Sequence, residues 1–316
     1  MPGLHFDRLD NVERSSRFAI LLACAALLAS AAGSPFAGRW DLTITTPKAV
    51  YPSWMEIVDE GGMPAIRVVG RTGSVHSVQD VKVAGSHLSF TSNEGVKLTW
   101  ELTAQAGKLS GRQQRPDGPA YTLTGLRAPS LKRDAPAAWT NPEPLFNGRD
   151  LAGWEPDNPA ENHWIAENGE LRNEQGGANI RTTRNFGDFK LHIEYNCPQG
   201  GNSGVYLRGR YEVQVEYEPP EKNDSFHRMG SIYGFIAPAT AVPPRPGQWE
   251  GYDVTLVGRT VTVVRDGILI IDHEQIPGIT GGALDSRESE PGPLYLQGDH
   301  TGGLKYRNIT ISVPSH

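Results

Sequence analysis

The sequence predicts an all-β protein in two parts, a small barrel or sandwich followed by a jelly-roll sandwich of two antiparallel sheets. Short runs of alternating apolar and polar residues recur along the 316-residue chain, and Gly, Asn and Asp turn signals separate them. Helical periodicity is nearly absent. A chain of this length accommodates more than one domain.

Before the first strand, Arg14 and Arg17 precede the apolar run FAILLACAALLA and the small residues of ASA (Ala29 to Ala31). This is the pattern of a secretory signal, expected over residues 1–31, and it implies a periplasmic or secreted protein. The run is too short to span a bilayer, so no stable membrane insertion is expected after cleavage. Cys24 lies in this leader, which leaves Cys197 as a single thiol and no internal disulfide.

Residues 35–128 contain the strand-like runs RWDLTIT, AIRVVG, HLSFTS, KLTWELT and TLTGL. GRW at Gly38 to Trp40 resembles the opening of lipocalin-like barrels, with the Trp closing one end. Residues 129–143 are rich in Pro and Ala and read as a linker. From residue 144 to 314 strands recur, among them FKLHIEYNC, GVYLR, YEVQVEYE, YDVTLVG and LKYRNITISV, with Arg265-Asp266-Gly267 as a hairpin turn. Two packed antiparallel sheets accommodate this spacing.

The formal net charge of -6 provides no basic surface for a phosphate backbone, which excludes nucleic acid as a partner and favours a small polar ligand. Nothing in the sequence fixes an oligomeric state. The stretch from Asn202 to Glu218 is the most informative about function. Val205, Leu207, Val213 and Val215 alternate with Tyr206, Arg208, Glu212, Gln214 and Glu216, so two consecutive strands present phenol, guanidinium, carboxylate and amide groups on one face. Glu194 with His192, Tyr233, Tyr295 with Gln297, the Asp299-His300 turn, and Lys305 with Arg307 are expected to join that surface.

Five ordered motifs carry a resemblance to the 3-keto-disaccharide hydrolase family: FNGRDLAGW (Phe146 to Trp154), NSGVYLRG (Asn202 to Gly209), YEVQV (Tyr211 to Val215), GSIYG (Gly230 to Gly234) and LQGDHTGGLKYRNITI (Leu296 to Ile311). The resemblance covers about half the chain. It departs from the family before the YDV strand, where Gly247-Gln248-Trp249-Glu250 stands in place of Gly-Glu-Trp-Asn. The resemblance implies a concanavalin A-like jelly roll acting on an oxidised saccharide whose C3 hydroxyl has become a ketone.

Such a ketone acidifies the C2 proton, so the bond at C1 can break by β-elimination followed by hydration. The reaction needs a base near C2, an acid near the leaving oxygen, and donors at the developing enolate. Glu212 and His300 are the expected base and acid, in an order the sequence leaves open, with Arg208 as a third catalytic group. Tyr206, Gln214, Gln297, Tyr233, Arg307 and Glu194 are expected to bind substrate, and Asp299 to hold the His300 imidazole. FNGRDLAGW reads as a structural turn. Turn carboxylates also make a divalent ion such as calcium an expectation, without an ordered ligand spacing to support it.

Two other readings remain open in the sequence. Glu212-Val213-Gln214-Val215-Glu216 resembles the Glu-x-Asp-x-Glu signature of retaining glucanases, with Gln214 replacing the central Asp. A polar, aromatic sheet face also suits a carbohydrate-binding module that leaves its sugar intact.

Overall fold

The computed structural model describes residues 34–60, 63–71, 73–217 and 224–315. The leader expected over 1–31, Cys24 included, lies outside them, as does the start of the loop that follows Tyr217. The C-terminal half is a sandwich. Its larger sheet runs Trp164–Glu167, Glu170–Asn173, Leu304–Ser312, Phe189–Asn196, Trp249–Val257, Thr260–Arg265 and Ile268–Gln275, and Glu143–Pro144 also pairs with Leu304–Ser312. Its smaller sheet runs Trp154–Pro156, Ile180–Thr182, Tyr295–Leu296, Asn202–Leu207 and Tyr211–Glu216.

Period-two alternation decides what faces inward. Leu191, Ile193 and Tyr195 from the larger sheet meet Val205, Leu207, Val213 and Val215 from the smaller one in a single core. Burying each such side chain stabilises the fold by roughly 1.5–3 kcal/mol. Tyr195 and Tyr252 pack with ring centroids 4.6 Å apart, and the Tyr252 hydroxyl crosses the layer to donate to the Gln214 carbonyl at 2.7 Å. Cys197 belongs to this core, and burial pushes its thiol up to about 12, so it is an inert packing residue.

FNGRDLAGW is a knotted turn. The Asn147 side chain accepts from the Arg149 and Asp150 amides at 2.8 and 3.1 Å, Gly148 supplies a φ of +74°, and the Trp154 indole donates to the Leu145 carbonyl at 2.8 Å. The motif closes the entry to the smaller sheet and carries no reactive group.

The N-terminal half is a nine-stranded antiparallel sheet in which Gly38–Thr45 lies between Val50–Glu60 and Ala120–Arg127. Ile66 and Val68 near one edge and Leu88 and Phe90 near the other share one core, so the sheet rolls on itself as a small barrel. Trp40 closes one end. Its indole donates to the Phe36 carbonyl at 2.7 Å, and the Arg127 guanidinium lies 3.7 Å over the ring.

The two halves are packed together. Trp54 points away from the barrel core into the sandwich core, edge-on to Phe235 with centroids 5.2 Å apart, and a side chain at Gly278 would collide with its indole. Beneath it lies a buried charge cluster. Arg259 donates to Glu288 at 3.3 Å, to the Pro277 carbonyl at 2.8 Å and to the Pro129 carbonyl at 2.6 Å, while the Tyr211 hydroxyl donates to Glu288 at 2.7 Å. Burial first, and then the neighbouring Glu288, push Asp41 of the barrel up to about 9, so Asp41 keeps its proton beside that carboxylate. The Pro-rich stretch after the barrel is therefore anchored at its first residue.

Arg259→Ala should cost about 3–5 kcal/mol, because it leaves the fully buried Glu288 carboxylate without its cation. Urea denaturation of the two proteins checks this, and a loss below about 1 kcal/mol would contradict it.

Candidate functional site

The outward face of the smaller sheet carries three cross-strand rows. Tyr206 lies opposite Glu212 on one side and Tyr295 on the other. In the next row Gly204 lies opposite Gln214, and its carbonyl accepts from the Gln297 amide at 3.0 Å. The third row pairs Asn202 with Glu216, whose side chains are bonded at 3.0 Å. GSIYG extends the sheet as a short edge: the Gln214 amide donates to the Ser231 carbonyl, and the Tyr233 amide to the Glu212 carbonyl.

Glu212 is the buried centre of this face. Its carboxyl lies across Gly204, where any Cβ would collide with Oε1, so the missing side chain makes room for the acid. Tyr206 Oη lies 2.8 Å from Glu212 Oε2 and 2.9 Å from the Gly281 carbonyl oxygen. The phenol has one proton to give and the carbonyl can only accept, so all three oxygens are satisfied when protonated Glu212 donates to Tyr206 and Tyr206 donates to Gly281. Electrostatics agrees. Burial pushes Glu212 up to about 8, with further upward pressure from Glu216 and Asp299, against the Tyr206 hydrogen bond and the nearby His300.

His300 lies at the more open end. Its Nδ1 is 2.8 Å from Asp299 Oδ1, each side chain is a little under half exposed, and this bond is the main cause raising the imidazole above its ordinary value. The turn is held from both sides: the Asn202 amide donates to Thr301 at 3.0 Å, and the Gly298 amide to the Asn179 side chain at 2.7 Å. The Gln297 amide donates to the carbonyl of Gly204, across which Glu212 lies, and the Asn202 amide to Thr301, so the Asp299–His300 turn adjoins the strand beside the buried acid.

Gln214 Oε1 and Gln297 Oε1, flanking Gly204, are buried acceptors with no hydrogen-bond partner among the described residues. Such oxygens suit a ligand that brings hydroxyl groups. Beside Glu216 a cavity of about 320 Å³ opens, walled by Tyr217, His227, Arg228, Pro238 and Ile270. Arg228 Nε is also buried without a hydrogen-bond partner among the described residues.

Five expected residues are elsewhere: Arg208, Glu194 and Arg307, and with them His192, 2.7 Å from Asp253, and Lys305, 3.7 Å from Glu170, both on strands of the larger sheet. Arg208 does not share the face of Tyr206, because the strand ends at Leu207 and Arg208 takes a φ of +53°. That turn sends its guanidinium to the Tyr211 hydroxyl at 3.0 Å and the Gly258 carbonyl at 2.9 Å, buried at the inner side of the sheet. Glu194 and Arg307 are bonded to each other at 2.6 Å on the larger sheet, whose inward residues are Ile193 and Tyr195, so the pair faces out on the far side of the sandwich. Tyr206, Gln214, Tyr233, Gln297, Asp299, Glu212 and His300 are brought together.

Thr280 and Gly281 were not legible. Thr280 Oγ1 accepts from the Glu212 amide at 3.0 Å, yet both residues come from an irregular loop with no motif. No group of three or more His, Cys, Asp or Glu side chains that could hold a metal ion forms among the described residues. The spacing of retaining catalysis is absent as well. The ladder from Tyr211 to Glu216 is unbroken, which keeps Glu212 and Glu216 roughly 13 Å apart along the backbone, whereas retaining catalysis wants about 5 Å.

The family model for the 3-keto-alpha-glucoside-1,2-lyase-like domain matches residues 141–312. Among solved structures the chain is similar to three candidate glycosyl hydrolases from Parabacteroides distasonis. One is 28% identical over 57% of this chain and 92% of that chain, with a TM-score of 0.47. The others are 19% identical over 55% and 92% (TM-score 0.45) and 23% identical over 55% and 98% (TM-score 0.42). No curated protein matches the sequence.

A carboxyl raised on folding contributes stability that is complete below its ordinary value of 4.5 and is lost as pH rises through about 8. Glu212→Gln keeps the size and removes the ionisation, so its melting temperature minus that of the wild type should grow from about pH 5 to about pH 9. A difference independent of pH would contradict a raised Glu212.

Proposed function

The chain belongs to the 3-keto-alpha-glucoside-1,2-lyase-like family, and from that premise we propose that it cleaves the glycosidic bond of 3-keto-glycosides by elimination and hydration. Family membership makes it a glycoside-acting enzyme; the keto substrate and the route are our reading. The observation that carries it is a buried carboxyl, Glu212, raised above its ordinary value by burial, on the sheet face that the histidine-aspartate turn adjoins. These are the two groups an elimination needs, an acid holding its proton at neutral pH and a base kept in one tautomer.

In this scheme His300 Nε2 takes the C2 proton, which the C3 ketone has acidified. The C2–H electron pair forms the C1=C2 bond, the C1–O bond breaks, and Glu212 delivers its proton to the leaving oxygen. In the hydration step the Glu212 carboxylate takes a proton from water as its hydroxyl adds to C1, and the His300 imidazolium returns its proton to C2, which frees the 3-keto sugar and restores both groups. Asp299 stabilises the imidazolium formed in the first step. With Arg208 and Arg307 committed elsewhere, Arg228, in the wall of the cavity beside Glu216, is our candidate guanidinium for the developing enolate, alongside Tyr233. Gln214 and Gln297 accept from sugar hydroxyls, and the Tyr206 hydroxyl turns from the Gly281 carbonyl to donate to the Glu212 carboxylate left by proton transfer. The leader-like segment supports a periplasmic or secreted site of action, and among the described residues no helix is long and apolar enough to cross a membrane.

Purified protein should release sugar from a 3-keto-disaccharide and leave the unoxidised parent intact, with and without a chelator. Binding of either sugar without cleavage would replace this reading with a carbohydrate-binding module. The kcat/KM profile should fall on its alkaline side near pH 8, where Glu212 loses its proton. Glu212→Gln should lower kcat roughly 10²–10⁴-fold and remove that limb. Asp299→Asn should move the acidic limb to lower pH, because Asp299 raises His300.

A further inference from the structure

The mouth of the barrel, opposite the end closed by Trp40, is a second concave site. A cavity of about 800 Å³ opens there, lined among others by Tyr51, Arg71, His76, Glu94, Gln113 and Tyr121. This lies within the range of roughly 300–1,000 Å³ common for small-molecule sites. Its chemistry is that of a polar ring binder. The Tyr51 hydroxyl donates to Gln113 Oε1 at 3.2 Å, the Arg71 guanidinium lies 5.7 Å over the Tyr51 ring, and His76 Nε2, 3.9 Å from Glu94, is buried without a hydrogen-bond partner among the described residues. Two tyrosine rings can cover the apolar face of a pyranose while the amide, carboxyl, imidazole and guanidinium groups take its hydroxyls. A hydrocarbon ligand would leave those polar groups unpaired.

Its position ties it to the catalytic face. Ser74 lines the cavity, and a Cβ at Gly234 would lie 2.8 Å from the Ser74 side chain, next to Tyr233, whose amide is bonded to the Glu212 carbonyl. Likewise the Gly282 amide donates to the Arg71 carbonyl at 2.9 Å, one residue from the Gly281 oxygen that receives the Tyr206 hydroxyl. One residue thus separates each cavity wall from a contact of the catalytic acid.

We propose that the barrel mouth is a saccharide-binding site that holds sugar units beyond the scissile bond, so that the protein takes oligosaccharides across both halves. The binding claim stands on the lining and does not depend on the cleavage reading; only its use during turnover rests on that reading.

Calorimetric titration of the full chain with unoxidised maltotriose and cellotriose tests it. At least one should bind the wild type, and Tyr121→Ala and Tyr51→Phe should each raise Kd ten-fold or more with an unchanged melting temperature. Tyr51→Phe removes only a hydroxyl and guards against a folding defect in the other variant. No binding of either trisaccharide, or equal binding by wild type and both variants, would overturn the proposal. Failure to cleave a 3-keto-disaccharide would instead overturn the cleavage reading and leave the titration result standing.

Discussion

The arrangement of the candidate site depends on one buried carboxyl, Glu212, which burial raises to about 8 and so keeps protonated. Glu212 lies on a strand whose alternate residues fill the sandwich core, so its side chain must leave on the other face. There it is walled in by Tyr206, the 280–282 loop and the GSIYG edge, and an ionised carboxylate in that place would cost several kcal/mol. The protein resolves this by protonation and a hydrogen-bond chain ending on a backbone carbonyl. Two glycines are required: Gly204 leaves the floor open for the carboxyl, and Gly282 leaves space for the Tyr206 hydroxyl. In the proposed reaction, the features that stabilise the neutral acid also supply the leaving group's proton.

A similar principle joins the two halves. Asp41 and Glu288 meet at the interface with Arg259, and burial keeps Asp41 neutral so that one carboxylate faces one guanidinium. Trp54 supplies the apolar part of the contact by entering the core of the other half. Because the 280–290 segment contributes Thr280 and Gly281 to the catalytic face and Glu288 to the interface, barrel and catalytic loop are held by one stretch of chain. The accessory barrel is thereby fixed beside the site.

Local alternation made most of the catalytic face legible. Tyr206, Glu212 and Gln214 follow from two adjacent strands of a hairpin, where period two decides the face and no distant information is needed. Asp299 and His300 were readable as a Gly-flanked turn, and their direct bond follows from that tight geometry. Arg208 failed because alternation stops where the strand stops, and a single left-handed φ reverses the side chain. Glu194 and Arg307 failed for another reason: alternation assigns a face of a strand and says nothing about which sheet that strand joins. Thr280 and Gly281 reach the site through a loop, whose path depends on tertiary packing.

The protonation state of Glu212 at neutral pH is the central claim, and infrared difference spectroscopy of wild type against Glu212→Gln measures it directly. A protonated-carboxyl C=O band present in the wild type at pH 7, absent from the variant, and disappearing as pH is raised through about 8 is the predicted result. A band already lost near the ordinary value of 4.5 would show an ionised Glu212, and with it neither the hydrogen-bond chain through Tyr206 nor the assigned acid would stand.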